Sequence, residues 1–142
     1  MNGRPLPAVQ ENDPDLQAPC GCFVTLKTHG NLRGCLGSFT GRGPLYKLVN
    51  QMARASATDD PRFFGSRLTP ADMPDLEIEI SVLSPLKRIE NPLDIQLGVH
   101  GIYVRRGYAS GCFLPQVADE TGWSKEEFLG HCCQDKAGLS WD

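Results

Sequence analysis

The 142-residue chain predicts an α+β fold, with an antiparallel or mixed sheet, hairpins and a few helices. Three observations lead to this prediction. Short β-branched and aromatic segments flank tight turns at two places in the chain, which is the pattern of β-hairpins. Residues 76–84 alternate apolar and polar side chains, as a half-buried strand does. Residues 44–58 repeat apolar residues at helical spacing.

The first 19 residues form a lead-in that is rich in proline. They carry Pro5, Pro7, Pro14 and Pro19 among scattered polar residues with no period. Because proline interrupts helical hydrogen bonding, the pattern predicts an extended segment without a helix. Residues 20–142 are then long enough to bury a core as a single domain, and a division into two subdomains stays open.

The first predicted hairpin runs from residue 22 to residue 39. Residues 22–26 and 32–39 have strand composition, and His29, Gly30 and Asn31 lie between them as the turn. Gly30 is suited to a positive φ at that turn. Alternation along a strand places residues two positions apart on the same face, so Arg33 and Cys35 are expected to project together.

The remaining elements follow from local signals in chain order. Pro44 suits the first turn of a helix that runs to about Thr58, where Asp59, Asp60 and Pro61 end it. Later signals predict a short helix at Pro70 to Met73, a strand at Leu76 to Ser84, a hairpin with strands at His100 to Arg106 and Ala109 to Leu114, and a helix from Ser124 to about Cys133. Ser124 and Glu127 have the spacing of a capping box.

Composition excludes several classes of function. The net charge of −3 and the mixed acids and bases provide no basic surface for DNA, and they disfavour RNA. No apolar segment reaches the length of a membrane span, and no export signal opens the sequence, so we expect a cytoplasmic protein. The six cysteines are then free thiols, and their spacing with the three histidines matches no metal site. No cofactor motif is found.

Several separated blocks resemble the AMMECR domain family, of the AmmeMemoRadiSam-associated protein A type. The blocks are Gly-Cys-Phe-Val-Thr-Leu-Lys (21–27), Leu-Arg-Gly-Cys-Leu-Gly (32–37), Asp-Pro-Arg-Phe (60–63), Glu-Ile-Ser-Val-Leu-Ser-Pro (79–85), His-Gly-Ile (100–102), Phe-Leu-Pro-Gln-Val-Ala (113–118), Gly-Trp (122–123) and Lys-Ala-Gly-Leu (136–139). They occur in the family's order and cover most of residues 20–139.

The resemblance implies a fold of two unequal lobes, with the Leu-Arg-Gly-Cys block near the cleft between them. It implies no settled activity. In prokaryotes the family is associated with a Memo-type protein and a radical S-adenosylmethionine protein, which are therefore the expected partners. Family members usually begin with a further helix and end with a further strand, so this chain is expected to be a trimmed or short form.

Cys35 is the main candidate for chemistry, either as a nucleophile or as a buried packing residue. A neighbouring guanidinium would favour its thiolate, and Arg33 is the nearest in sequence. Gly34 and Gly37 either leave the backbone open to a substrate or mark close packing. Arg62 either joins Arg33 in binding an anionic substrate or pairs locally with an acid.

His100 is the candidate general base, because imidazole titrates near neutral pH. A structural hydrogen bond is the alternative role for that ring. Two hypotheses for the whole chain therefore stand. In the first, it is a small enzyme that uses Cys35, His100 and the arginines. In the second, it is a noncatalytic module that docks on a Memo-type or radical S-adenosylmethionine partner.

Overall fold

The computed structural model describes residues 11–140, which divide into two compact units with the boundary between Leu86 and Lys87. Both units combine antiparallel strands with helices, so the predicted α+β class is confirmed. Within the described residues, no helix is both long enough and apolar enough to cross a membrane.

The first unit is a three-stranded antiparallel sheet with one long helix against it. Its elements are α1 (Pro14–Gln17), β1 (Cys20–Thr28), β2 (Asn31–Thr40), α2 (Leu45–Thr58), two 3₁₀ turns (Pro61–Phe63 and Pro70–Asp75) and β3 (Leu76–Leu83). The strand order is β2, β1, β3, so β1 lies at the centre. The predicted hairpin, long helix and alternating strand are all confirmed.

The hairpin turn is formed by two residues with positive φ. His29 has φ 51° and Gly30 has φ 76°. This pair of values is typical of a type I′ turn, whose twist matches that of the flanking strands. The prediction identified Gly30, and the structure adds that His29 shares the left-handed conformation.

The two faces of the sheet have different surroundings. On the helix-side face, Val24 and Leu26 of β1 are buried together with Leu68. Partly buried residues of α2 and β3 complete this cluster: Val49, Met52, Ala53, Ala57 and Leu76. We call the opposite face the thiol face, because Thr25 and Cys35 pair there in the register of β1 with β2.

The lead-in is not wholly extended. The prediction that it holds no helix is wrong for residues 14–17, where Pro14 begins α1 and the side chain of Asp13 accepts a hydrogen bond from the backbone N–H of Asp15. Proline is tolerated at the first position of a helix because its missing N–H would have no partner there. The part of the predicted lead-in before residue 11 lies outside the described residues.

The second unit is built around a two-stranded hairpin. It contains a 3₁₀ turn (Pro92–Asp94), β4 (Ile102–Arg106), β5 (Ala109–Phe113), α3 (Gln116–Thr121), α4 (Lys125–His131) and a π turn (Cys132–Lys136). Its core cluster consists of Ile95, Phe113, Ala118, Phe128, Leu129 and Cys132. Trp123 packs against this cluster, so its ring belongs with the core.

The capping box at the start of α4 is confirmed. The Ser124 hydroxyl accepts from the backbone N–H of Glu127 at 3.2 Å, and the Ser124 N–H donates to the Glu127 carboxylate at 2.9 Å. The helix α3 was not predicted, because its six residues are too few to show a helical period. It ends at Gly122 in the left-handed conformation, with φ 68°.

Gly34 is expected to be essential for packing α2 against β2. A methyl group at this position would overlap the backbone carbonyl of Ser56, which cannot move without moving the helix. We expect Gly34→Ala to lower the free energy of unfolding by about 1–3 kcal/mol, as overpacking does. Urea denaturation of the purified protein measures this change.

Gly43→Ala is the matched control. Apart from its two neighbours in the chain, no residue has an atom within 4 Å of the position that the added methyl group would take. Its denaturation midpoint should stay close to that of the unchanged protein. Equal midpoints for the two variants would contradict the close approach of α2 to β2.

Candidate functional site

The Cys35 thiol lies on the thiol face, directly opposite Thr25 of β1. Its sulfur is 3.2 Å from the Thr25 hydroxyl oxygen, within hydrogen-bonding distance for sulfur. Thr25 is buried, whereas Cys35 is half-buried. The thiol is therefore held by a fixed polar neighbour on a residue that keeps part of its surface exposed.

The backbone of Cys35 is held on both sides by one ion pair. Its N–H donates to the Asp60 carboxylate at 3.0 Å, and its carbonyl accepts from the Arg62 guanidinium at 3.3 Å. Asp60 and Arg62 also bond each other through both carboxylate oxygens, at 3.0 and 2.7 Å. Together, these hydrogen bonds of Asp60 and Arg62 fix the position of β2 next to the thiol.

The Asp60 carboxylate is only 3% exposed, so its charge needs internal partners. The hydrogen bond from Arg62 is the main reason why the pKa of Asp60 is lowered, although burial opposes that shift. Conversely, the hydrogen bond to Asp60 is the main reason why the pKa of Arg62 is raised, although burial opposes that shift. The acid and the base therefore stay ionised together beside the thiol.

Ser56 joins α2 to both strands of the hairpin. Its hydroxyl accepts from the Leu36 N–H of β2 and donates to the Val24 carbonyl of β1, both at 2.8 Å. The side chain is buried, and both bonds run to backbone groups of the sheet. A single hydroxyl thus sets the position of the helix over the hairpin.

Arg33 occupies a β-bulge, which changes the face that it reaches. The register places Leu26 opposite Gly34 and Lys27 opposite Leu32, so Arg33 is the extra residue on β2. Its guanidinium donates to the Thr28 hydroxyl at 3.0 Å, and Thr28 lies on the helix-side face. The prediction that Arg33 shares a face with Cys35 is therefore wrong, because the bulge interrupts the alternation.

The guanidinium of Arg33 has further partners within the chain. It donates to the Asp72 carboxylate at 3.3 Å and to the Ser66 carbonyl at 3.2 Å. The Asp72 carboxylate in turn accepts from the backbone N–H and the hydroxyl of Thr69, the main causes of its lowered pKa. Arg33 thus connects the hairpin to the segment before β3, and its predicted role in substrate binding stays a prediction.

The two glycines of the motif are packed against the chain itself. Gly34 faces the Ser56 backbone, and Gly37 lies under the Phe23 ring and close to the Cys22 carbonyl. An aromatic ring over a cross-strand glycine restores packing that the missing side chain would supply. These contacts favour the close-packing alternative for both glycines, and substrate binding at Gly34 and Gly37 stays a prediction.

His100 belongs to the second unit and is exposed. Its Nδ1 accepts a hydrogen bond from the backbone N–H of Gln96 at 3.0 Å, which places the proton of the neutral ring on Nε2. In that tautomer Nε2 donates and cannot accept a proton. The general-base role therefore stays a prediction that requires the other tautomer.

The remaining thiols differ from Cys35 in environment. Burial raises the pKa of Cys22 and of Cys133, and it raises the pKa of Cys132 to about 12. Cys22 and Cys132 are completely buried. Across residues 11–140, no group of three histidine, cysteine or acidic side chains is arranged to hold a metal ion.

Three residues of the site were not predicted as functional. Thr25, Ser56 and Asp60 touch the Cys35 region from three different elements. Two of them left a local signal: Ser56 is a polar residue within an apolar helical stripe, and Asp60 precedes a proline at a helix end. Nothing in the sequence marks Thr25 as part of a site, because β-branched residues are common in strands.

Asp60 is expected to stabilise the fold in a pH-dependent way. Its pKa is lower in the folded chain than the unfolded value of about 3.9. The stabilisation that the ionised Asp60 gives to the fold is therefore complete above the unfolded pKa. This stabilisation is lost as the pH falls through the folded pKa. Asp60→Asn should lower the free energy of unfolding at neutral pH by about 1–3 kcal/mol, and this deficit should shrink below about pH 4.

Asp59→Asn is the matched control for this measurement. Asp59 is the exposed neighbour of Asp60, and its side chain accepts only from the Thr58 hydroxyl among the side-chain bonds described. Urea denaturation over a series of pH values compares the two variants. A deficit for Asp60→Asn that is constant with pH would contradict the ionised pair.

Known proteins resemble this chain over most of its length. The AMMECR1 family model matches residues 1–142. A protein of Methanothermobacter thermautotrophicus is 45% identical over 128 residues, and one of Methanopyrus kandleri is 47% identical over 130 residues. Each alignment covers 86% of this chain, but only 65% and 62% of those relatives, so the chain spans under two thirds of their length.

A solved structure shares the fold. The crystal structure of the uncharacterized protein PH0010 from Pyrococcus horikoshii superposes with a TM-score of 0.87 at 38% sequence identity. The match covers 99% of this chain and 72% of that protein.

Proposed function

The chain belongs to the AMMECR1 family, and from this premise we propose that it is a small enzyme, or a component of an enzymatic pathway, whose reacting group is the Cys35 thiol. The observation that carries the proposal is the setting of that thiol. It is half-buried, bonded to the Thr25 hydroxyl, and its backbone is fixed by Asp60 and Arg62. Such a fixed position lowers the entropic cost of reaction.

Its surroundings distinguish Cys35 from the two fully buried thiols, Cys22 and Cys132, because Cys35 keeps part of its surface exposed. Arg62 adds a neighbouring guanidinium, which bonds the Cys35 carbonyl while the Arg62 side chain is still 50% exposed. Arg62 is therefore the residue that we assign first to an anionic substrate, and the predicted contribution of Arg33 would add to it.

The proposed substrate is a small anionic molecule with an electrophilic centre. Its anionic group would approach the exposed part of Arg62, and the electrophilic centre would approach the Cys35 sulfur. His100 as general base remains part of the prediction only if its proton moves to Nδ1, which ends the hydrogen bond from Gln96. We place the activity in the cytoplasm, where thiols stay reduced.

Alkylation of the folded protein tests the role of Cys35. At neutral pH we expect iodoacetamide to modify Cys35 at least about tenfold faster than Cys20, which is also half-buried, because the position of Cys35 is fixed by Thr25, Asp60 and Arg62; a factor of ten corresponds to about 1.4 kcal/mol in activation free energy. Mass spectrometry of peptides after timed quenching measures both rates in one sample.

Arg62→Gln is the informative variant, because it removes the cation and keeps a hydrogen-bonding side chain. The rate at Cys35 should fall in this variant while the rate at Cys20 stays the same. If Cys35 reacts no faster than Cys20 in the unchanged protein, the nucleophile role is excluded.

The second candidate function is a noncatalytic module that docks on a Memo-type or radical S-adenosylmethionine protein. Exposed apolar side chains next to the site favour this alternative. Phe64 is 52% exposed with the Arg67 guanidinium 4.8 Å from its ring, and Met73 is 49% exposed. Aromatic and arginine side chains are enriched where proteins bind one another.

Two variants separate the alternatives in a pull-down with purified candidate partners. If the chain is a docking module, Phe64→Ala should reduce capture at least tenfold, and Cys35→Ala should leave it unchanged. If neither partner type is captured by the unchanged protein, the docking hypothesis fails.

A further inference from the structure

A carboxylate completes a row of three polar side chains across the sheet of the first unit. Thr25 of the central strand β1 lies opposite Cys35 of β2 on one side and opposite Glu79 of β3 on the other. Side chains that lie opposite one another in neighbouring antiparallel strands project from the same face of the sheet. The thiol face therefore carries a thiol, a hydroxyl and a carboxylate in line, in that order.

The strands set the spacing of this row. Neighbouring strands lie about 4.8 Å apart, so the backbones of β2 and β3 lie about 10 Å apart across β1. Thr25 between them is buried, and its hydroxyl oxygen is 3.2 Å from the Cys35 sulfur. Glu79 is exposed. A group bound above Thr25 would thus lie within about one strand spacing of both β2 and β3.

A cation lies on the other side of the thiol. The N–H and the carbonyl of Cys35 bond to Asp60 and Arg62, so both backbone groups point to the outer edge of β2. This direction fits an antiparallel pair, in which every second residue turns its backbone groups away from the neighbouring strand. The half-exposed side chain of Arg62 and the carboxylate of Glu79 are therefore on opposite sides of the thiol.

We propose that the substrate of Cys35 is a small zwitterion. Its anionic group would lie toward Arg62, its electrophilic centre at the thiol, and a cationic group such as an ammonium toward Glu79. This inference rests on the proposed function, because it takes Cys35 as the reacting group, and it adds a second charge to the substrate. Charges of opposite sign on the two sides of a site fix the direction in which a zwitterion binds.

A second carboxylate on the same face is less suited to this role. Glu77 is two residues from Glu79 on β3, and it lies opposite Lys27 of β1, a pairing of opposite charges that is favourable in sheets. Glu79 lies opposite the uncharged Thr25. Both glutamates are exposed, but Glu77 lies about 7 Å further along the strand from the row that contains the thiol. Glu77 therefore provides the matched control.

Thiol reagents of different charge test the proposal at Cys35 itself. Trimethylammonioethyl, sulfonatoethyl and methyl methanethiosulfonate carry a positive charge, a negative charge and no charge. Each of them forms a mixed disulfide with a thiol and releases methanesulfinate. Mass spectrometry of peptides after timed quenching gives the three rates at Cys35. Dividing the rates of the charged reagents by the rate of the neutral reagent removes any effect of a substitution on the thiolate population.

Glu79→Gln should lower the cationic-to-neutral ratio at Cys35 at least about threefold, because it removes the charge that attracts the cationic reagent. The same substitution should raise the anionic-to-neutral ratio. Glu77→Gln should change both ratios by less than half as much. Circular dichroism verifies that both variants are folded.

The proposal is overturned if Glu79→Gln leaves both ratios unchanged, or if Glu77→Gln changes them equally. Either result can occur while Cys35 remains the fastest thiol toward iodoacetamide, and then only the zwitterionic substrate is excluded. The proposed function fails in a different way, with Cys35 reacting no faster than Cys20 toward that neutral reagent.

Discussion

The ion pair of Asp60 and Arg62 is the interaction on which the architecture of the site depends. Asp60 follows the end of α2, and its buried carboxylate accepts from the Cys35 N–H in the middle of β2. One turn earlier, Ser56 bonds the same strand. Because the helix end is tied to β2 at both points, the position of the thiol follows from the position of the helix.

Much of the fold could be predicted because its signals are local. The alternation of residues 76–84, the turn at Gly30 and the capping box at Ser124 each depend on a few adjacent residues, and all three are found in the structure. The bulge at Arg33 could not be predicted in this way. It is accompanied by contacts from α2 and from the segment before β3, which are distant in sequence.

The candidate site was predicted only in part for the same reason. Cys35 could be chosen from its residue type and its neighbours in sequence, whereas its actual contacts come from Thr25, Asp60 and Arg62. The residues of the Leu-Arg-Gly-Cys block also have different structural roles. Arg33 connects two segments and Gly34 allows the close approach of the helix, so these residues maintain the fold around the half-buried Cys35.

The environments of the thiols have a consequence for oxidative damage. Peroxides attack thiolates, and the resulting sulfenic acid forms where the thiol is both ionised and accessible. The pKa of Cys132 is about 12 and that of Cys22 is raised, so these two buried thiols stay protonated at neutral pH. Oxidation of the folded chain therefore begins at its partly exposed cysteines and spares the sulfur atoms within the cores.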